Sequence, residues 1–221
     1  MLRSSCFILV FVHTRFIRDF YEGHDMEDLS LELRKMSDNL GWQIPQEVID
    51  RFVSFSQLKH YDKGDVVAWK GNDASHSGIV IKGLVRSYYV DNDGNDITQF
   101  FAKEGNFCSD SGLLGFKENV SMWEAIEETT IVRFEVKKMK DMIMSNEALK
   151  TVWIECLESA IRYKIYRESG FLVENATERY LEFCKRNPDL SDRIPQQYIA
   201  TYLGIKPESL SRIRSSLKSK K

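Results

Sequence analysis

The chain has 221 residues, 43% hydrophobic and 29% charged, with a formal net charge of −2. This is the composition of an ordinary soluble globular protein with room for one large or two small domains. Its four cysteines (Cys6, Cys108, Cys156, Cys184) lie far apart without a Cys-x-x-Cys pair, which excludes a disulfide framework, a zinc ribbon or an iron–sulfur ferredoxin pattern and fits free thiols in a reducing cytoplasm.

The charge is unevenly spread. Residues 26–150 carry 15 basic and 21 acidic side chains, a net of −6, whereas residues 176–221 carry 10 and 5, a net of +5. An acidic body with a basic end is the distribution of a sensor joined to a polyanion-binding module.

Residues 1–25 differ from the rest of the chain. The apolar run Cys6 to Val12 is far too short to cross a bilayer, and no small-residue cleavage site comes after it. Met26 opens a charged, helix-like stretch to Leu40, so the expectation is that residues 1–25 are an upstream or non-native extension. Pro45 is placed to begin a helix whose apolar face is Val48, Ile49, Phe52 and Val53.

From Tyr61 to Phe134 the pattern is short strands punctuated by Gly64, Gly71, Gly83, Gly94 and Gly105, the spacing of an antiparallel sandwich, roll or barrel. Asp91-Asn92-Asp93-Gly94 reads as a hairpin turn between Ser87–Val90 and Ile97–Phe101. A long helix is expected from about Asn146 to Ser169. One stripe of it carries Leu149, Val152, Trp153, Cys156, Ala160, Tyr163 and, further on, Phe171, and could pack on the roll, on a second copy, or partly on each. Arg167 on that stripe marks where the seam would end. Asn175 and Glu178 have the spacing of a capping box, with Tyr180, Leu181 and Cys184 as the apolar positions of the next helix.

The last segment, Ile194 to Leu217, reads as two short helices around a tight turn. Ile199 and Leu203 share a face, Gly204 supplies a left-handed stop, Ile205 plugs the turn and Pro207 opens the second helix. Leu210, Ile213 and Leu217 point inward at helical spacing. Glu208, Arg212 and Ser215 lie opposite, flanked by Ser209 and Ser211. An Arg fork for guanine, a carboxylate for cytosine and hydroxyls for phosphates are what a major-groove helix requires. By this pattern alone, a plain helical hairpin with a solvated face is the competing reading.

The order of these pieces resembles the Crp/Fnr superfamily of bacterial transcription regulators over about residues 40–221. The resemblance rests on Lys63-Gly64-Asp65 and Gly83, on Gly105-Asn106-Phe107 leading to Ser109-Asp110-Ser111-Gly112-Leu113, on Ala176-Thr177-Glu178-Arg179-Tyr180, and on Gln197 to Leu217. It implies an α+β chain. An N-terminal antiparallel β-roll of the double-stranded jelly-roll type occupies the cyclic-nucleotide-binding-like sensor at 26–145. A long dimerisation helix and hinge take 146–174, and a C-terminal winged helix-turn-helix takes 175–221. It further implies a homodimer paired through Leu149, Val152, Trp153, Cys156, Ala160 and Tyr163. Its partners would be a near-palindromic double-stranded DNA site, RNA polymerase and a small-molecule effector. In such regulators a Glu and an Arg four residues apart read the palindrome. Glu208 and Arg212 match them and Ser209 a neighbouring contact, with Gln197, Lys206 and Ser215 completing the DNA-facing set.

The effector positions depart from that pattern. Where relatives that bind cyclic AMP have Gly-Glu-Leu for the ribose and Arg-Ser or Arg-Thr for the phosphate, this chain has Ser109-Asp110-Ser111 and Val120-Ser121. A partly buried phosphate needs a compensating charge or several N–H donors, and Val120 brings no charge. Lys164 stands at a base-side position on the long helix. Cyclic AMP is therefore not the expected ligand, and no cofactor or metal is expected.

Two other classes fit less well. A cupin-like metalloenzyme would need clustered ligands, but His13, His24, His60 and His76 are scattered without His-x-His. No nucleophile–base constellation stands out, so no enzyme is expected. A ligand-binding protein without a DNA role would not need the Glu208/Arg212 stripe.

Overall fold

The structure is a computed structural model that describes residues 26–39 and 44–219; the expectation for residues 1–25 and the final lysines Lys220 and Lys221 lie outside them. Two helices lead, α1 (Met26–Asn39) and α2 (Gln46–Ser54). Eight strands come next: β1 (Ser56–Tyr61), β2 (Val66–Ala68), β3 (His76–Lys82), β4 (Leu84–Val90), β5 (Asp96–Lys103), β6 (Phe107–Cys108), β7 (Met122–Ala125) and β8 (Thr129–Glu135). Five helices complete the described chain: α3 (Val136–Ser145), α4 (Glu147–Val173), α5 (Ala176–Arg186), α6 (Gln196–Tyr202) and α7 (Pro207–Lys218). Among the described residues no strand follows Glu135, so the strands of a wing are not seen there.

The strands form two four-stranded sheets, in the orders β1-β8-β3-β6 and β2-β7-β4-β5. The ladders β1–β8, β3–β8, β3–β6 and β2–β7 are antiparallel. This is the expected roll. The hairpin falls at the expected turn: Asp91 N–H donates to the Asn95 carbonyl at 3.0 Å, and Gly94 takes φ 82°, a value that suits glycine. Its strands run longer than the sequence suggests. Gly83 is required twice over. Its φ is 97°, and a Cβ there would lie 2.5 Å from both the Glu128 carbonyl oxygen and Thr129 Oγ1.

The residues divide into two compact units. One gathers the described residues up to Arg86 with Phe101–Ala160; the other joins Ser87–Phe100 to the described residues from Ile161 onward. The core of the first unit explains why α2 forms. Val48, Ile49 and Phe52 are buried, and Phe52 meets Phe134 edge-on with ring centroids 5.4 Å apart. Alternation along β8 puts Val132 and Phe134 in this core with Leu29, Ile81, Leu113, Val136, Met142, Ile143 and Leu149. Ile131 and Arg133 belong to the opposite face of the strand. Arg86, only 1% exposed, is held by Glu124 at 3.1 Å, so its buried charge is paired.

Helix α4 has 27 residues, about 40 Å at 1.5 Å per residue, and starts and ends within a few residues of the expected span.

Candidate nucleic-acid interface and effector pocket

Within the second unit, α5 is fixed by the expected capping box of Asn175 and Glu178. Asn175 Oδ1 accepts from Thr177 N at 2.9 Å and Glu178 N at 3.1 Å, while Asn175 N donates to Glu178 Oε2 at 2.8 Å. Its buried positions are Tyr180 and Phe183 rather than the expected Tyr180, Leu181 and Cys184. Leu181 is 48% exposed, and Phe183 packs against the Tyr202 ring at 5.3 Å. Both flanks of Tyr180 carry apolar residues at helical spacing, and packing on α6 selects the Phe183 side.

Helices α6 and α7 form the predicted pair. Ile199 and Leu203 are buried, Gly204 has φ 66°, and the Ile205 N–H closes the turn on the Ala200 carbonyl at 3.0 Å. Lys206 is extended (φ −76°, ψ 148°) with Pro207 at the first helical position, as the residue before a proline should be. Leu210 is fully buried, while Ile213 and Leu217 are half-buried. On the other side Glu208, Ser211, Arg212 and Ser215 are exposed, as are Gln197 and Lys206; Ser209 is half-buried. Arg212 Nη2 rests 3.3 Å from Ser209 Oγ, a weak bond that leaves the guanidinium available. The face therefore presents one carboxylate, one guanidinium and short hydroxyls on a single helix.

The stripe on α4 is divided. Leu149 is buried in the core of the first unit, with Trp153 packed against that core and edge-on to Phe107. Tyr163 belongs to the second unit, where its ring meets Phe100 and its hydroxyl pairs with that of Tyr202 at 2.8 Å. Val152 and Cys156 are half-buried, and Ala160 is exposed. A different row is left uncovered in the single chain: Ile154, Ile161 and Ile165 are 55%, 56% and 60% exposed.

The two expected effector segments meet in the first unit. Ser111 Oγ accepts from Val120 N at 3.2 Å, and Ser109 Oγ reaches Asn119 Oδ1 at 3.4 Å. Ser111 and Ser121 are buried and Val120 is partly exposed. Ser109 has φ 51°, the left-handed conformation of a sharp turn. Lys164 is an exposed residue of the second unit.

A cavity of about 150 Å³ in the first unit includes Ser109 in its lining but none of Asp110, Ser111, Val120 or Ser121. Its walls bring together Tyr61 of β1, Asn119 and Arg133 of β8, none of which the sequence singled out. Burial, then the charge of Arg133, pushes the His76 imidazole below its usual value, so it is neutral at pH 7. Burial pushes the Cys108 thiol far up, which makes it inert as a nucleophile. Among the described residues no group of three or more His, Cys, Asp or Glu side chains could hold a metal ion, and no helix is long and apolar enough to cross a membrane.

Residues 58–146 match the cyclic nucleotide-binding domain family. Over 205 residues the chain is 22% identical to the HTH-type transcriptional regulator ArcR of Staphylococcus aureus, covering 87% of this chain and 86% of that one. Its fold is similar to that of CLP, the c-di-GMP responsive global regulator of Xanthomonas campestris (TM-score 0.65, 16% identity, 80% and 93% of the two chains). It is also similar to a Eubacterium rectale protein assigned to the Crp/Fnr family (TM-score 0.63, 16% identity, 80% and 85%). A β-roll of the cyclic nucleotide-binding type, a long helix and a C-terminal helical pair follow one another in the chain, the fold it has in common with those regulators. The chain is thus similar to Crp/Fnr regulators in fold, with a cyclic nucleotide-binding domain at residues 58–146.

Proposed function

We propose that this chain is a homodimeric, sequence-specific DNA-binding transcription regulator of the cytoplasm, without catalytic activity. The observation that carries the reading is the α6–α7 pair. Gly204 and Pro207 set the turn, Leu210 anchors α7 inward, and the exposed side is left to Glu208, Arg212 and Ser215. Such a helix fits the major groove, with Arg212 toward guanine and Glu208 toward cytosine. Gln197, Lys206 and Ser209 would hold phosphates and set register. The basic balance of residues 176–221 supports sequence-independent affinity.

Two copies would pair along α4, with the row Ile154, Ile161 and Ile165 at the seam. A two-fold dimer places two α7 helices on successive major grooves of a near-palindrome. RNA polymerase is the further partner this reading carries. The effector is not cyclic AMP, because Val120 stands where a phosphate would need a charge. The domain limits 26–145, 146–174 and 175–221 are part of the same reading.

Selection of random duplex DNA by the purified chain without added effector tests it. Enrichment of a near-palindrome, bound more weakly at higher salt, is the expected result. No enrichment, with or without candidate effectors, would overturn it.

A further inference from the structure

The cavity of the first unit carries hydrogen-bond donors that the protein itself does not use. Asn119 is only 5% exposed. Its Oδ1 accepts from Ser109, while its amide NH2 has no partner among the described residues. The Tyr61 hydroxyl and the half-buried Arg133 guanidinium likewise have no hydrogen-bond or ion-pair partner among the described residues. Three donors without a protein partner therefore line one space, one of them on a buried residue and two on half-buried ones that face the cavity. Gly78 keeps that space open. It lies opposite Arg133 in the β3–β8 ladder, and a Cβ there would come within 2.4 Å of Ile131 Cγ2 and 3.1 Å of Cys108 Sγ.

The character of the walls selects the guest. Three donors and one fixed positive charge call for an anion with two acceptor oxygens, which a planar guanidinium binds in a fork. Val67, Ala68 and Ile131 supply an apolar side for a short hydrocarbon. The Asp73 carboxylate also lines the cavity and disfavours a second negative charge on the guest. At about 150 Å³ the space is far below a nucleotide pocket, and an apolar cavity of about that size holds a molecule as small as benzene. We infer that the cavity is a binding site for a short-chain monocarboxylate, its carboxylate held by Arg133, Tyr61 and Asn119 and its tail against Val67, Ala68 and Ile131. The site is separate from the Ser111–Val120 junction, and it stands whether or not α7 reads DNA.

The test titrates the full chain with sodium butyrate and, separately, with inorganic phosphate, following the indole N–H signal of Trp69, which lines the cavity. Butyrate should shift that signal saturably and leave the other indole signals in place. Arg133→Gln should weaken binding by roughly tenfold or more, and Tyr61→Phe by about threefold. Unchanged indole signals elsewhere in the chain report that the variants are folded; if Arg133→Gln does not fold, Tyr61→Phe and Arg133→Lys carry the comparison. Absence of a saturable shift, affinity for phosphate equal to that for butyrate, or folded variants that bind as the parent does would each overturn the assignment.

Discussion

The guanidinium of Arg167 lies 3.9 Å over the centroid of the Tyr202 ring, and its Nη2 donates to the Tyr202 carbonyl at 2.8 Å. Its other arm donates to the Gln99 carbonyl, so one side chain of α4 ties the end of α6 to β5 inside the second unit. The Tyr202 hydroxyl, pushed well up by burial, stays protonated and pairs with Tyr163. Arg167→Ala removes a stacked cation and two charge-assisted hydrogen bonds. It should cost about 2–4 kcal/mol in the second unit. Faster amide exchange at Leu203 and Gly204, with the β8 amides unchanged, is the expected signature. Arg167→Lys should recover little, because an ammonium cannot make the fork.

Asn175→Ala removes the acceptor of two amides at the start of α5 and should destabilise that helix by about 1 kcal/mol. Asn175→Asp should retain most of the stability. Urea unfolding followed by a probe on α5 separates the two.

Arg212→Ala should cost roughly 1–3 kcal/mol on the selected DNA site and relax the preference at one base position. Binding to a panel of single-base variants measures it. Equal weakening on every sequence would assign Arg212 to phosphate contact instead.

Ile161→Glu puts a charge on the exposed row of α4, where a two-fold partner would bring a second copy close by. Light scattering should then report a monomer, and affinity for the palindrome should fall by at least roughly tenfold. A variant that remains dimeric would move the seam away from this row.

The hairpin tip has its own pH dependence. Asp91 Oδ1 accepts from Asn95 N at 2.8 Å and Asp93 N at 2.9 Å, and these bonds, Asn95 foremost, hold its carboxyl below the ordinary 3.8. A depressed carboxyl stabilises the fold above its unfolded value, and the contribution disappears as pH falls through the folded one. The amide proton of Asn95 should titrate with a midpoint below 3.8, and Asp91→Asn should abolish that step.

The local devices were legible because each is written in neighbouring residues. The Asn175/Glu178 box, the Asp91–Gly94 turn and the Gly204/Pro207 turn need only the chain a few positions either side. The Glu208/Arg212 face follows from helical period alone. What the stripe on α4 touches was not legible. Leu149 and Trp153 go to the core of the first unit and Tyr163 to the second, while Arg167, expected to end a seam, turns inward to Tyr202. A period of 3.6 says which residues share a face but not what covers it. The cavity is the stronger case. Tyr61, Asn119 and Arg133 are distant in sequence, and only the β1-β8-β3-β6 strand order, with the 109–120 segment folded back on itself, sets their donors around one space. Alternation along β8, a property of the sequence by itself, gives Arg133 the face opposite Val132. Which strands stand beside that face depends on long-range pairing, and only the tertiary structure decides it.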